Sequence, residues 1–436
     1  MTSTLRRTFG IAFGVSVGVG STIGAGILRA PADVAQLLPS PGLFLAAWIV
    51  GGCYALLGAN ALAELGTMLP RSGGQYIFVR RALGPYAGFV VGWNDWISTC
   101  GAVAAISIVV GEAVAAIIPL FSHAAIAIAA TAIIAVTAVT ARGAQQSNVT
   151  QQLTSALKFA VLLALVAACV VYRVTHSSHI ADAGAGHGIG PMAGVGAFIV
   201  ALQGIIYAYD GWTGIIYFSE EVTDSERSIP RSMFLGVISI IVLYVLLNLA
   251  FMLVLPLSAL AKSPLAAATV AAEIFGRYGS VIVQIIIVIA LPSAVVANTL
   301  MASRVGFALA RDRFAPRSLT NVNSGGTPIT SLIGGSAIAM LFLLTGTFER
   351  VIAICSFLFV ASYAMSFASI FVLRRKEPET PRPFMALGHP YSTGLITLAS
   401  VAFLVGSALA DKTTGVIALG LALASYPAYK MVTRST

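Results

Sequence analysis

The chain has 436 residues, of which 58% are hydrophobic and only 9% charged, with a formal net charge of +9 and a mean hydropathy of +0.92. This balance excludes a soluble domain, and recurrent apolar runs of about 18 residues or more place the chain among all-α polytopic membrane proteins. Its Lys and Arg residues fall between the apolar runs rather than in one patch, so they report membrane topology and argue against nucleic acid as a partner.

Hydropathy predicts about twelve spans, near residues 10–30, 42–68, 84–118, 122–141, 152–173, 191–219, 231–256, 275–310, 329–346, 350–373, 391–410 and 413–430. No soluble domain fits between them. The first segment lacks a small-residue cleavage site and is read as a retained helix, not a signal peptide. With the N-terminus inside, about 17 Lys and Arg residues fall on the cytoplasmic side and 6 on the other, with Lys158 and Arg304 inside the membrane. That asymmetry predicts both termini in the cytoplasm. Residues 69–81 mix Pro70, Gly73, Gly74, Tyr76, Phe78, Arg80 and Arg81, which suits a short helix at the inner interface. Residues 175–190, with His176, His179 and His187, read as a solvated outer loop rather than a metal site. Cys53, Cys100, Cys169 and Cys355 lie in apolar segments and form no CxxC, so they read as small hydrophobes. No metal or cofactor is expected.

Two spans carry an unusual density of small and polar residues at mid-depth. In the first, Gly10, Gly14 and Gly18 recur every fourth residue, as a helix-packing ridge would. A ridge does not explain the Ser21, Thr22, Gly24, Ala25 and Gly26 that follow, and the spacing fails the dinucleotide fingerprint. The sixth span carries Tyr207-Ala208-Tyr209-Asp210-Gly211-Trp212 at its middle. Unpaired backbone costs several kcal/mol in hydrocarbon, so two such breaks suggest unwound segments lining a shared solute cavity. A break in the first span would offer helix N-terminal amides to a carboxylate. A break in the sixth would offer the carbonyls of Tyr207, Ala208 and Asp210 to an ammonium group. Donors facing acceptors describe a zwitterion, and an α-amino acid is the simplest.

The same residues carry a family resemblance. The first break is similar to that of the amino acid/polyamine/organocation (APC) superfamily, and Tyr207 to Trp212, with Ser219-Glu220-Glu221-Val222 and Ser228-Ile229-Pro230-Arg231, resembles the sixth helix of its L-type amino acid transporter (LAT) branch. Ala63-Glu64-Leu65, Pro70 to Gly74, Ala302-Ser303-Arg304 and the Arg374 to Arg382 region extend the match over nearly the whole chain. The resemblance implies one transporter domain with a five-plus-five inverted repeat of the leucine-transporter type. Repeat one then covers about 10–173, repeat two about 191–373, and two extra helices about 391–430. It further implies a substrate site formed by Ser21, Thr22, Ile23, Gly24, Ala25, Gly26, Tyr207, Ala208, Tyr209, Asp210 and Gly211. Tyr207 would act as an outer gate. The family commonly has Ser where this chain has Ala25, which leaves more to the backbone amides.

Lys158 either snorkels to the interface or is buried and functional. In sodium-independent relatives a lysine at the matching place looks like a stand-in for sodium, and here it would meet Ser21 or Ile23 and Ser293. Tyr244 and Asn248 are one turn apart in the seventh span and read either as partners of Lys158 or, for Asn248, as an inter-helix bond. Asp210 either caps freed amides or takes part in substrate or charge coupling. Glu64, Asp95, Glu112 and Arg304 are expected at interfaces or paired, and Glu220, Glu221 and Arg231 in one cytoplasmic ion-pair cluster. Trp93, Trp96 and Trp212 read as core or interface anchors. The favoured reading is a sodium-independent exchanger of neutral L-amino acids in a bacterial inner membrane, working by alternating access. Proton-coupled symport, a cationic or polyamine substrate, and a membrane amino acid sensor are the alternatives. No enzyme motif is present, and the short connection at 119–123 has no cysteine for a disulfide-linked heavy chain.

Overall fold

The computed structural model describes residues 7–121, 123–142, 144–176, 191–263, 265–344 and 347–434. His179 and His187, weighed above as metal ligands, lie outside them. Among the described residues the fold is nearly all helix, with two isolated β-bridges. The first expected span is a pair of helices, α1 (Ile11–Thr22) and α2 (Ala25–Leu37), bent by 41°. There follow α3 (Pro41–Met68), α4 (Gln75–Leu83), α5 (Pro85–Ile117), α6 (Ala125–Thr140) and α7 (Ala144–Thr175). After α8 (Pro191–Tyr209) comes a 3-10 helix, Gly214–Glu221, and then α9 (Ser225–Val254), α10 (Leu257–Leu260), α11 (Ala266–Phe275) and α12 (Arg277–Arg311). The chain closes with α13 (Ile329–Leu343), α14 (Phe348–Lys376), α15 (Tyr391–Ala410), α16 (Lys412–Leu423) and α17 (Ser425–Arg434).

Every expected apolar segment is occupied by helix. Nine helical segments among the described residues are long and apolar enough to cross a bilayer, and the bent pair makes up to ten. α6 and α13, with 16 and 15 residues, span only about 23 Å at 1.5 Å per residue, short of a hydrocarbon core of about 30 Å. Local sequence explains several boundaries. Pro41 and Pro85 sit in the first turn of α3 and α5, where a missing N–H costs nothing. Between α4 and α5 stands Gly84, at φ +99°, a conformation that favours glycine.

The most enclosed helices are α5 and α14, while α7, α15 and α16 expose much of their apolar surface. α1 packs against α7, α9 and α12, and α2 against α8, so the two broken elements lie within the bundle. Three expectations change here. The stretch expected as an interfacial helix is α4, but its Tyr76, Phe78 and Val79 are fully buried. Of the expected glycine ridge, only Gly14 is tightly packed, against Ile215 and Ser232, whereas a Cβ on Gly10 would meet nothing within 4 Å. The Glu220, Glu221 and Arg231 cluster is instead two pairs, Glu220 with Arg311 at 2.9 Å and Glu221 with Arg304 at 3.4 Å. Arg231 is exposed because it falls on the outer face of α9.

The other expected pairs differ in kind. Glu64 accepts from Arg374 Nη2 at 2.6 Å and from the Ala386 amide at 2.7 Å, which ties α3 to α14 and the following loop. Glu112 meets Arg29 at 2.8 Å. Asp95 is fully buried and has no ion pair among the described residues; it accepts from the Tyr217 hydroxyl at 2.7 Å.

Candidate functional site

The break in the first span has a local cause. Ser21 and Thr22 donate their hydroxyls back to Val17 O at 2.5 Å and Gly18 O at 2.7 Å, a habit that bends helices. Gly24 then takes an extended conformation, φ −128° and ψ −155°, and the α-helical ladder stops. Three carbonyls at the end of α1 find partners elsewhere. Lys158 of α7, 2% exposed, donates through Nζ to Gly20 O at 2.9 Å and Ile23 O at 3.3 Å. Tyr244 of α9 donates to Thr22 O at 2.8 Å, and its hydroxyl also lies 3.2 Å from Ala208 O. A cation at the negative end of α1 is also the favourable sign for the helix dipole.

The start of α2 is the opposite case. It has no side-chain cap and no acidic residue in its first turn, so its leading amides lack a side-chain acceptor. Such an end favours an anion.

In the sixth span α8 stops at Tyr209, and the Asp210 amide turns back to Tyr207 O at 3.2 Å. Gly211 follows at φ +113°. No side chain fits there, because a Cβ would stand 2.7 Å from both Ser21 Oγ and Thr22 N. Gly211 O lies 3.1 Å from the same Ser21 hydroxyl, whose one hydrogen it shares with Val17 O, so the two breaks are in direct contact. Gly26 shows the same crowding from the other direction, with its absent Cβ 2.6 Å from Ala208 Cα. The segment after the break is a 3-10 helix rather than the expected α-helical half. Asp210 carries its carboxylate between the Tyr363 hydroxyl of α14 and the Gly211 amide, and has no ion pair among the described residues. It therefore does cap a freed amide while its charge stays unmatched.

A cavity of about 20 Å³ lies at the junction. Ser21, Thr22, Gly24, Ala25, Gly26, Tyr207 and Asp210 line it. The other expected site residues stand apart. Ala208 packs on Gly26 and its carbonyl faces Tyr244; Tyr209 points at Gly52; Gly211 gives its carbonyl to Ser21; Ile23 faces Lys158. Ser293 donates within its own helix, to Ala290 O at 2.7 Å, rather than to Lys158. Asn248 likewise bonds back to Tyr244 O at 2.8 Å instead of reaching another helix. Ala102 and Ile106 of α5 and Asn298 of α12 complete the lining. None of them stood out in the sequence, since each sits in an ordinary apolar run, and Asn298 is the one residue whose polarity was a signal.

Two aromatic clusters adjoin the broken spans. On one side Tyr207 meets Phe348 edge-on at 6.0 Å, and Arg29 lies 4.8 Å from the centre of the Phe348 ring while pairing with Glu112 and Glu349. On the other, Phe9 and Phe13 stack at 3.8 Å and both meet Phe218. Arg304 covers Phe218 at 5.1 Å, and the Glu221 carbonyl accepts the Thr8 and Phe9 amides. A space of about 20 Å³ is on the order of one water molecule, so a larger solute does not fit in this conformation.

Residues 4–424 match the family described as amino acid permease. The chain belongs to that family. It is a membrane transporter rather than an enzyme, and the APC and LAT resemblance of the two breaks extends to whole sequences. The chain is 25% identical over 431 residues to the serine/threonine exchanger SteT of Bacillus subtilis, covering 98% of this chain and 96% of that one. It is 26% identical over 424 residues to the human b(0,+)-type amino acid transporter 1, covering 95% and 85%. An uncharacterized transporter of Mycobacterium tuberculosis is 31% identical over 433 residues, covering 99% and 93%. In this member of the family the broken helices bring uncapped amides and an unmatched carboxylate to one small cavity.

Proposed function

We propose that the chain is a sodium-independent secondary transporter that moves amino acids across a bacterial inner membrane by alternating access, and that it exchanges neutral L-amino acids. The observation that carries this reading is the pairing of uncapped α2 amides with the Asp210 carboxylate across one small cavity. The amides of Gly24, Ala25 and Gly26 receive the substrate carboxylate. The ammonium group comes to Asp210 and the end of α8. A buried carboxylate with no cation is costly, and an arriving ammonium group removes that cost.

Sodium independence rests on Lys158, whose ammonium occupies the place among the α1 carbonyls that a metal cation would otherwise fill. The two aromatic clusters serve as alternating gates, with Tyr207 under Phe348 as the outer one. We read about 10–173 and 191–373 as inverted repeats, 391–430 as extra helices, the crossings as twelve and both termini as cytoplasmic. One relative named as an exchanger supports exchange, the serine/threonine exchanger matched over nearly the whole of both chains.

Uptake of labelled amino acids into proteoliposomes tests the reading. Exchange requires uptake only when the lumen is preloaded with amino acid, with no effect of replacing sodium. Proton-driven uptake into empty vesicles would instead establish symport. That second reading is favoured by one observation, that the buried carboxylates Asp95 and Asp210 have no ion pair among the described residues.

A further inference from the structure

A second, larger cavity of about 250 Å³ lies behind the first break, between α7, α11 and α12, with Ile23 and Leu28 at its inner wall. Its lining includes Leu165 and Ala168 of α7, Ala271 and Phe275 of α11, and Ile282 and Ile287 of α12. Lys158 is its one charged residue, and it contributes its methylene stem, because its ammonium is turned to the carbonyls of Gly20 and Ile23. A cavity of this chemistry stays free of water, as smaller apolar cavities of about 150 Å³ do. We propose that it is a binding site for one acyl chain of a membrane lipid.

Three observations select that occupant. The rim is open where Phe275 is 50% and Ile282 is 46% exposed, on helices whose outward residues Ile285 and Ile289 are also apolar and exposed, so the mouth faces hydrocarbon. The long axis follows α7 from Ala168 to Lys158, ten residues or about 15 Å at helical rise. That is half of a bilayer core of about 30 Å, the depth of one leaflet. Finally, no polar group inside awaits a partner, so a headgroup stays at the rim and only the hydrocarbon enters. Alanines at 164, 168, 267, 271 and 290 make the room, which leaves space for a linear guest where larger side chains would close the gap.

The guest packs against the stem of Lys158 and against Ile23, the two residues that secure the break, without touching the amino acid cavity. The inference therefore stands whether or not exchange is the transport mode. The test uses the full chain reconstituted in vesicles of phosphatidylethanolamine and phosphatidylglycerol that contain a phospholipid with a photoreactive group near the end of one acyl chain. After irradiation, adducts are mapped by mass spectrometry. The expected result is preferential labelling of 161–168 and 282–290 over the exposed faces of α15 and α16. Ala271→Phe fills the cavity and lowers that labelling about tenfold, the equivalent of about two buried methylenes, while labelling of α15 stays unchanged. Ala168→Phe serves as an independent filling variant. Labelling of wild type that is no greater there than on α15, or that persists in a folded filling variant, overturns the proposal.

Discussion

Replacing Lys158 isolates the part of the structure that would make the transporter independent of sodium. In Lys158→Ala the carbonyls of Gly20 and Ile23 lose their donors, bonds of 2.9 and 3.3 Å in the present structure. Leaving a buried acceptor unpaired costs about 1–3 kcal/mol, so the two together cost about 2–6 kcal/mol. Against this, a buried ammonium carries a desolvation penalty of several kcal/mol that the variant escapes. The opposing terms are of one size, so thermal stability should change little. Transport is different, because the break keeps its shape only while something holds those carbonyls. Losing about 2.7 kcal/mol of preference for the closed geometry lowers the rate about a hundredfold. Lys158→Met keeps the stem that lines the apolar cavity and removes the charge alone, so it should lose transport to the same degree while unfolding at or above the temperature of the alanine variant. Uptake into proteoliposomes and thermal unfolding of the purified protein measure the two quantities. Wild-type uptake in Lys158→Met would refute the reasoning, since the cation would then hold nothing that transport needs.

Gly211→Ala places a methyl group within 2.7 Å of Ser21 and Thr22 at a φ of +113°, so uptake should be abolished, whereas Gly10→Ala, with open space around it, should transport like wild type. Asp210→Asn removes the unmatched charge; stability should hold or rise, and affinity for the amino acid should fall by about tenfold or more, the value of one charge-assisted hydrogen bond, as read by competition of labelled uptake. Arg374→Ala removes the two shortest cation contacts of Glu64, itself 1% exposed, while Arg382 Nε stays at 3.5 Å and the Ala386 amide at 2.7 Å. That should destabilise the protein by about 1.5–3 kcal/mol, the value of a hydrogen bond to a charged group, visible as a lower unfolding temperature. His389 lies in the loop before α15, where burial, aided by the Arg374 charge, holds its imidazole below the ordinary value of 6.5. Its neutral form is the folded form, so its contribution to stability is present above about 6.5 and lost as pH falls below it. His389→Asn should flatten that part of an unfolding-temperature profile.

Which features were legible in the sequence follows from how far each one reaches along the chain. Helix positions came from apolar runs of about 20 residues, a signal carried by composition alone, and the break at Gly24 from a local density of glycine and hydroxyl residues. The reach of Lys158 to Ile23 O was implied by the family resemblance, whereas the residue alone left snorkelling to the interface equally open. What the sequence did not carry were choices between equivalent partners. Arg231 follows Glu221 closely, yet Arg304 and Arg311 take the two glutamates, because α12 passes the 3-10 helix while the side chain at 231 turns outward. The same holds for Ser293, whose hydroxyl is satisfied by its own helix at 2.7 Å and gains nothing by leaving it. Tyr363 was invisible for a related reason: one polar side chain in a long apolar helix is ordinary until a second helix brings a charge to it. For Tyr363 that charge is Asp210. A tyrosine in hydrocarbon needs an acceptor and a buried carboxylate needs a donor, so once α8 ends beside α14 each supplies what the other lacks, and the carboxylate is held in place.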